Sequence, residues 1–307
     1  MNISKITLGT AQLGMNYGIA NVSGKPNFKK ALRLLKYAWK NGINSFDTAP
    51  EYGNSEQVLG SFISSELNNE FDEITIISKF PKIKIRDNLS FNNIYNEIKK
   101  QIDSSLDKLK IDKISIYLLH NAEDLFLNNG IIVDCLSELK KEGIIERFGL
   151  SIYNPKDVEN SLKFKEIDVI QIPINIFDHR LISSGLLNRL KNKKYLIFAR
   201  SIYLQGLFFL TLNQLIEKKL EFAKEPLLKL HNLSNEFKID IDKLAFLFIR
   251  DIQEISSMVI GMERIEQISK NIELLKENSL SLEIQKRLKK EFVDMPEKII
   301  NPSLWLL

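Results

Sequence analysis

The run Lys29-Lys-Ala-Leu-Arg-Leu-Leu-Lys-Tyr-Ala-Trp-Lys-Asn-Gly-Ile-Asn-Ser-Phe-Asp-Thr48 holds a helix, its stop signal and a strand in one unbroken piece. Ala31, Leu34, Leu35 and Ala38 fall at i, i+3, i+4 and i+7, the spacing of one apolar helical face. Asn41-Gly42 supplies a left-handed helix cap. Ser45–Thr48 then reads as a short strand that ends on a carboxylate, Asp47.

The same unit recurs in both directions along the chain. β-rich runs are expected at Ile6–Thr10, Ile74–Phe80, Ile114–His120, Arg147–Ser151, Val169–Ile174, Leu196–Ser201 and Ser257–Gly261, making eight with Ser45–Thr48. Helical periodicity fills the gaps at Ile94–Leu109, Ile132–Lys141, Pro155–Phe164, Leu181–Lys191, Pro226–Phe237, Ile241–Arg250, Glu263–Leu275 and Leu282–Phe292. Each interval between strands fits one helix with short loops, except the last, which leaves room for extra helix after the seventh strand. Eight βα units without a linker rich in Pro, Gly or Ser point to a single-domain α/β fold, a closed (β/α)8 TIM barrel over residues 1–307. A doubly wound sheet is the alternative. Against it, the glycines of Gly9-Thr-Ala-Gln-Leu-Gly14-Met-Asn-Tyr-Gly18 lack the GxGxxG spacing.

Composition narrows the function. Lys+Arg 43 against Asp+Glu 39 leaves a formal charge of +4, too small and too dispersed for a nucleic-acid footprint. The 44% hydrophobic content excludes intrinsic disorder. Cys135 is the sole cysteine and the three histidines, His120, His179 and His231, lack metal-ligand spacing, so no metal is expected. Neither a signal peptide nor a membrane-length apolar run is visible, and a cytoplasmic location is the expectation.

Barrel enzymes place their chemistry at the C-terminal ends of the strands. The second strand ends at Asp47, the third at Lys79 and the fourth at His120, with Tyr52 shortly after Asp47. Taken singly, these residues are a turn cap, a solvated lysine, a structural histidine and a packed tyrosine. Converging on one mouth, they make a device. A phenol with a pKa near 10 is a weak acid at neutral pH, an adjacent ammonium favours its ionised form, and a carboxylate holds that ammonium in place. A histidine beside the phenol can orient a carbonyl.

At these residues the chain resembles the aldo-keto reductases. The resemblance spans about Ile6 to Leu275. It rests on Leu8-Gly-Thr-Ala-Gln-Leu-Gly14, on Phe46-Asp-Thr-Ala-Pro-Glu-Tyr-Gly-Asn-Ser-Glu56, on Ser78-Lys79 and on Leu118-Leu-His120. It implies catalysis by Asp47, Tyr52, Lys79 and His120, with Tyr52 as general acid, Lys79 and Asp47 tuning it, and His120 orienting the carbonyl. It also implies a nicotinamide cofactor, NADPH in preference to NADH, held by Gly9, Thr10, Ser151, Gln171, Arg200, Ser201, Gly261, Met262, Arg264, Gln267 and Asn271. Arg264 would meet a 2′-phosphate, with Glu263 beside it favouring a free ribose hydroxyl instead. Two positions depart from the family pattern: Ile152 follows Ser151 where Asn is common, and Arg200 stands where an aromatic residue stacks on the nicotinamide.

The activity so implied is reduction of a small, sugar-like carbonyl compound to an alcohol. The alternatives are a cofactor-binding regulatory subunit on the same barrel and a metal-dependent barrel lyase or isomerase. Loops at Met15–Lys25, Glu123–Gly130 and Phe177–Leu181 and the tail Leu304-Trp-Leu-Leu307 are the expected substrate walls, through Tyr17, Phe126, Phe177, His179 and Trp305.

Overall fold

The computed structural model describes residues 1–67, 73–81 and 90–305. Eight parallel strands close into a barrel in sequence order: β1 (Ile6–Gly9), β2 (Ser45–Asp47), β3 (Thr75–Phe80), β4 (Ile114–Leu119), β5 (Ile145–Ser151), β6 (Val169–Pro173), β7 (Leu196–Arg200) and β8 (Ser257–Gly261). The ring is completed by β8 pairing with β1, Gly9 opposite Gly261. The single (β/α)8 barrel is therefore the fold. The expected extra helix after the seventh strand is present as Leu212–Glu217, Lys224–Phe237 and Ile241–Arg250, all before β8.

The two-residue pleat of a strand decides what faces inward. At the N-terminal end, Thr7 bonds to Ser45 and Ser257 through hydroxyls at 2.8 and 2.7 Å. Above them Ile77, Ile116, Leu118, Val169 and Phe198 form an apolar plug, separate from the larger core between strands and helices. One pleat further along the same strands come Lys79, His120, Gln171 and Arg200, and on β2 Asp47. The register thus delivers five polar side chains to one mouth above a dry plug.

Two local readings differ from expectation. The segment after Tyr52 is helical over Ser55–Glu66, burying Val58, Leu59, Phe62 and Ile63. Gly60 lets this helix rest on the end of the helix Phe91–Leu109: a Cβ at that position would lie 2.1 Å from the Lys108 carbonyl oxygen. The expected helix Leu181–Lys191 is two pieces, Arg180–Ser183 and Leu186–Asn192, broken at Gly185 with φ +72°.

Among the expected substrate walls, Tyr17 borders the mouth cavity, whereas Phe126, Phe177, His179 and Trp305 do not. Phe177 packs on Phe208 and Phe292, and Trp305 is buried with its indole donating to the Lys298 carbonyl. Leu306 and Leu307 lie outside the described residues. Among the described residues no helix is long and apolar enough to cross a membrane.

Candidate active site

Asp47 and Lys79 sit on adjacent strands and point into the barrel. The Lys79 ammonium donates to both Asp47 carboxylate oxygens, at 2.8 and 2.7 Å, and to the Thr48 carbonyl at 3.0 Å. Lys79 is 1% exposed and Asp47 4%. Burial pushes the Lys79 ammonium below its ordinary value, opposed by Asp47. Such a pair persists because each partner keeps the other compensated in a site with little water.

Tyr52 comes from the turn between β2 and the helix Ser55–Glu66. Its N–H donates to Ala49 and its carbonyl accepts from Ser55. Its ring lies over the Lys79 ammonium, 4.9 Å from nitrogen to centroid. The His120 ring meets it edge-on at 6.4 Å. Thr10, expected at the cofactor, does not line the cavity. It is fully buried, donating to the Asp47 carbonyl at 2.9 Å and bonding to the Ser55 hydroxyl at 3.0 Å, so it braces the turn that carries Tyr52.

The phenol is not drawn toward neutrality as expected. Its pKa is raised, first by burial and then by the Asp47 charge, with Arg200 opposing. Lys79 is already matched by Asp47, which explains the missing downward pull. Tyr52 therefore keeps its proton at neutral pH and has one to donate, although it holds that proton more tightly than an ordinary phenol does.

His120 Nδ1 lies 2.8 Å from Glu51 Oε2. A carboxylate only accepts, so Nδ1 carries hydrogen, and the neutral ring presents a bare Nε2. Protonation turns Nε2 into a donor. Burial, then Lys79, holds His120 below its ordinary value, against the pull of Glu51. Glu51 is a site residue that sequence reasoning misses; its one signal is an acid directly before Tyr52.

A cavity of about 980 Å³ runs from this group to the N-terminus of the helix Ile265–Leu274. Its lining includes Gly9, Tyr52, His120, Ser151, Gln171, Arg200 and Ser201, with Gly261 beside Gly9. It continues along Met262, Arg264, Gln267 and Asn271. Gln171 Nε2 donates to Asp47 at 2.7 Å, and its Oε1 accepts from Ser151 at 3.3 Å. Arg200 donates to the Ile152 carbonyl at 2.8 Å and to the Ser201 hydroxyl at 3.2 Å. At the far end Gln267 Oε1 accepts the N–H groups of Glu263 and Arg264 at 2.9 and 3.0 Å, while its amide nitrogen donates to Glu263 at 2.9 Å. Asn271 accepts from Tyr203 at 2.8 Å and donates to the Gln267 carbonyl at 2.9 Å. Glu263 is thus turned inward, also taking a bond from Gln12 at 3.3 Å, and Arg264 is the exposed charge.

The aldo/keto reductase family model matches residues 5–290. This chain is an aldo/keto reductase. It is 26% identical to the NADH-specific methylglyoxal reductase of Escherichia coli, covering 90% of the chain and 94% of that relative. It is 27% identical to the L-galactose dehydrogenase of Arabidopsis thaliana, covering 89% and 84%. Among solved structures it superposes on an aldo-keto reductase from Bacillus halodurans in its holo form with TM-score 0.74 at 20% identity, covering 94% of the chain and 92% of that structure. It superposes on one from Klebsiella pneumoniae in complex with NADPH with TM-score 0.71 at 19% identity, covering 97% and 95%. Those two likenesses speak for the fold. This aldo/keto reductase is accordingly an NAD(P)H-dependent oxidoreductase, and the mouth group lies where a barrel enzyme does its chemistry.

Proposed function

We propose that the chain reduces an aldehyde or ketone, sugar-like in size, to an alcohol with NADPH, using Tyr52 as general acid. The observation that carries this reading is the buried Asp47–Lys79 pair beneath a protonated Tyr52 that borders the cavity beside His120. Several relatives are named for aldehyde or sugar chemistry, among them methylglyoxal reductase and L-galactose dehydrogenase.

The residues present fit the cofactor. Gln12 Oε1 is buried without a hydrogen-bond partner and borders the cavity, an acceptor free for a ribose hydroxyl. The N-terminus of the helix Ile265–Leu274 offers N–H groups and a favourable dipole for phosphate. Arg264 has no carboxylate partner among the described residues, and Glu263, the competing acid, is occupied by Gln12 and Gln267. This favours the 2′-phosphate of NADPH over a free ribose hydroxyl. Ser151 and Gln171 would hold the carboxamide, with Gln171 accepting, because its nitrogen is committed to Asp47. Gly9, Ser201, Gly261 and Met262 complete the wall, and Gln267 and Asn271 shape its adenosine end.

When bound, the reduced nicotinamide supplies hydride to the carbonyl carbon. Tyr52 donates its proton to the carbonyl oxygen in the same step. His120, when protonated, donates from Nε2 to that oxygen and orients it. Lys79 and Asp47 position the phenol and keep the chamber near neutral charge. Thr10 and Ser55 fix the turn that sets its height. Steady-state oxidation of NADPH across a panel of small aldehydes tests the reading. Turnover with at least one aldehyde is the expected result, and none with any aldehyde would reject it.

A further inference from the structure

Arg200 closes β7 and stands above the apolar plug, inside the same mouth as Tyr52 and His120. It is held rather than mobile. Its guanidinium bonds the Ile152 carbonyl and the Ser201 hydroxyl, and its carbon lies 4.5 Å from the Tyr153 ring centroid. Tyr153 is anchored in turn, its carbonyl accepting from Arg180 at 3.2 Å, and Arg180 is fixed by two bonds to Asp178.

The other cation beside the reacting position, Lys79, is matched by Asp47, and Glu51 is turned to the His120 ring. Arg200 has no carboxylate partner among the described residues, although it is partly buried and borders the cavity. The neutral groups around it, Tyr17, Tyr52 and Tyr153, offer hydroxyls and ring faces but no countercharge. Arg264 and a helix N-terminus already serve cofactor phosphate at the opposite end. A fixed, unmatched guanidinium beside the reacting position is a receptor for an anion.

We propose that Arg200 selects a carbonyl substrate that itself carries an anionic group, a carboxylate or a phosphate, set beside the carbonyl that Tyr52 protonates. The proposal rests on the reductase reading and narrows its substrate class.

The test uses the full chain and two matched pairs: benzaldehyde with 4-carboxybenzaldehyde, and glyceraldehyde with glyceraldehyde 3-phosphate. Wild type, Arg200→Lys and Arg200→Met are compared by kcat/KM with NADPH. NADPH affinity is read separately by fluorescence titration. The wild type is expected to favour the anionic member of one pair by roughly tenfold or more, mainly through KM, as one charge-assisted contact provides. The pair that shows it separates carboxylate from phosphate. Arg200→Met should bring the ratio near one, and Arg200→Lys should retain part of it. No anionic preference in either pair, or a preference that survives Arg200→Met, overturns the proposal. So does a loss of NADPH affinity in Arg200→Met with the ratio unchanged, which would assign Arg200 to the cofactor. If no aldehyde turns over, the reductase reading fails, and calorimetry of 4-carboxybenzyl alcohol against benzyl alcohol on the NADP⁺-loaded enzyme still decides the anion preference. Tighter binding of the acid that is lost in Arg200→Met upholds the proposal; equal binding overturns it.

Discussion

Gln171, on β6, donates to Asp47, on β2, across the barrel mouth at 2.7 Å. That bond fixes which way the amide points. It gives the Asp47–Lys79 pair a third partner and leaves the Gln171 oxygen to Ser151 and, in the proposed cofactor pose, to the carboxamide. Gln171→Leu should therefore act on both. Unfolding in urea should show a loss of about 1–3 kcal/mol from the unsatisfied buried acceptor. NADPH affinity, by fluorescence titration, should fall by roughly tenfold. Unchanged values in both measurements would break this link.

Lys79→Met leaves Asp47 buried and without its ammonium. The expected destabilisation is about 3–5 kcal/mol, the usual result of breaking a buried pair from one side. Adding Asp47→Asn should recover much of that loss, because the orphan charge is then gone. Denaturant unfolding of both variants checks this, and an equally unstable double variant would contradict it.

The barrel was legible because its signal is repetition. The units around Ala31–Thr48 recur, and two-residue alternation carried Lys79, His120, Gln171 and Arg200 to one face. The helix Ser55–Glu66 is harder to read although Val58, Leu59, Phe62 and Ile63 have helical spacing; Gly60, a poor helix former, sits among them for a reason seen only in three dimensions, the carbonyl of Lys108. Residue identity did not reveal that Glu51 would turn back to His120, because that contact joins the β2 and β4 loops. The direction of the Tyr52 shift was also hidden. It depends on how completely Asp47 claims Lys79 and how deeply the phenol is buried, and both are matters of packing.

Glu51 raises the pKa of His120 against burial and Lys79. Glu51→Gln removes that support, so the His120 midpoint should move to lower pH in an NMR titration. Because Nε2 donates only when the ring is protonated, kcat/KM for reduction should decline as pH rises through the His120 midpoint. In Glu51→Gln the decline should begin at lower pH. An unshifted His120 midpoint would show that the contact does not control the ring.

Arg264→Ala should weaken NADPH binding by about tenfold and NADH binding much less, since only the former offers a 2′-phosphate to the guanidinium. Parallel titrations with both cofactors check this. Equal losses would place Arg264 away from that phosphate.

Tyr52→Phe is the most direct measurement of the proposed chemistry. The change removes one oxygen from a half-buried ring, and the proposed cofactor wall lies mainly on β5 to β8 and the segment after β8. NADPH affinity and unfolding free energy should stay near wild type, while kcat falls by about 10²–10⁴, the usual worth of a positioned general acid. The loss should appear in kcat because the proton moves in the transition state. Full turnover by Tyr52→Phe, on an aldehyde that the wild type reduces, would contradict the assignment of Tyr52 as the acid.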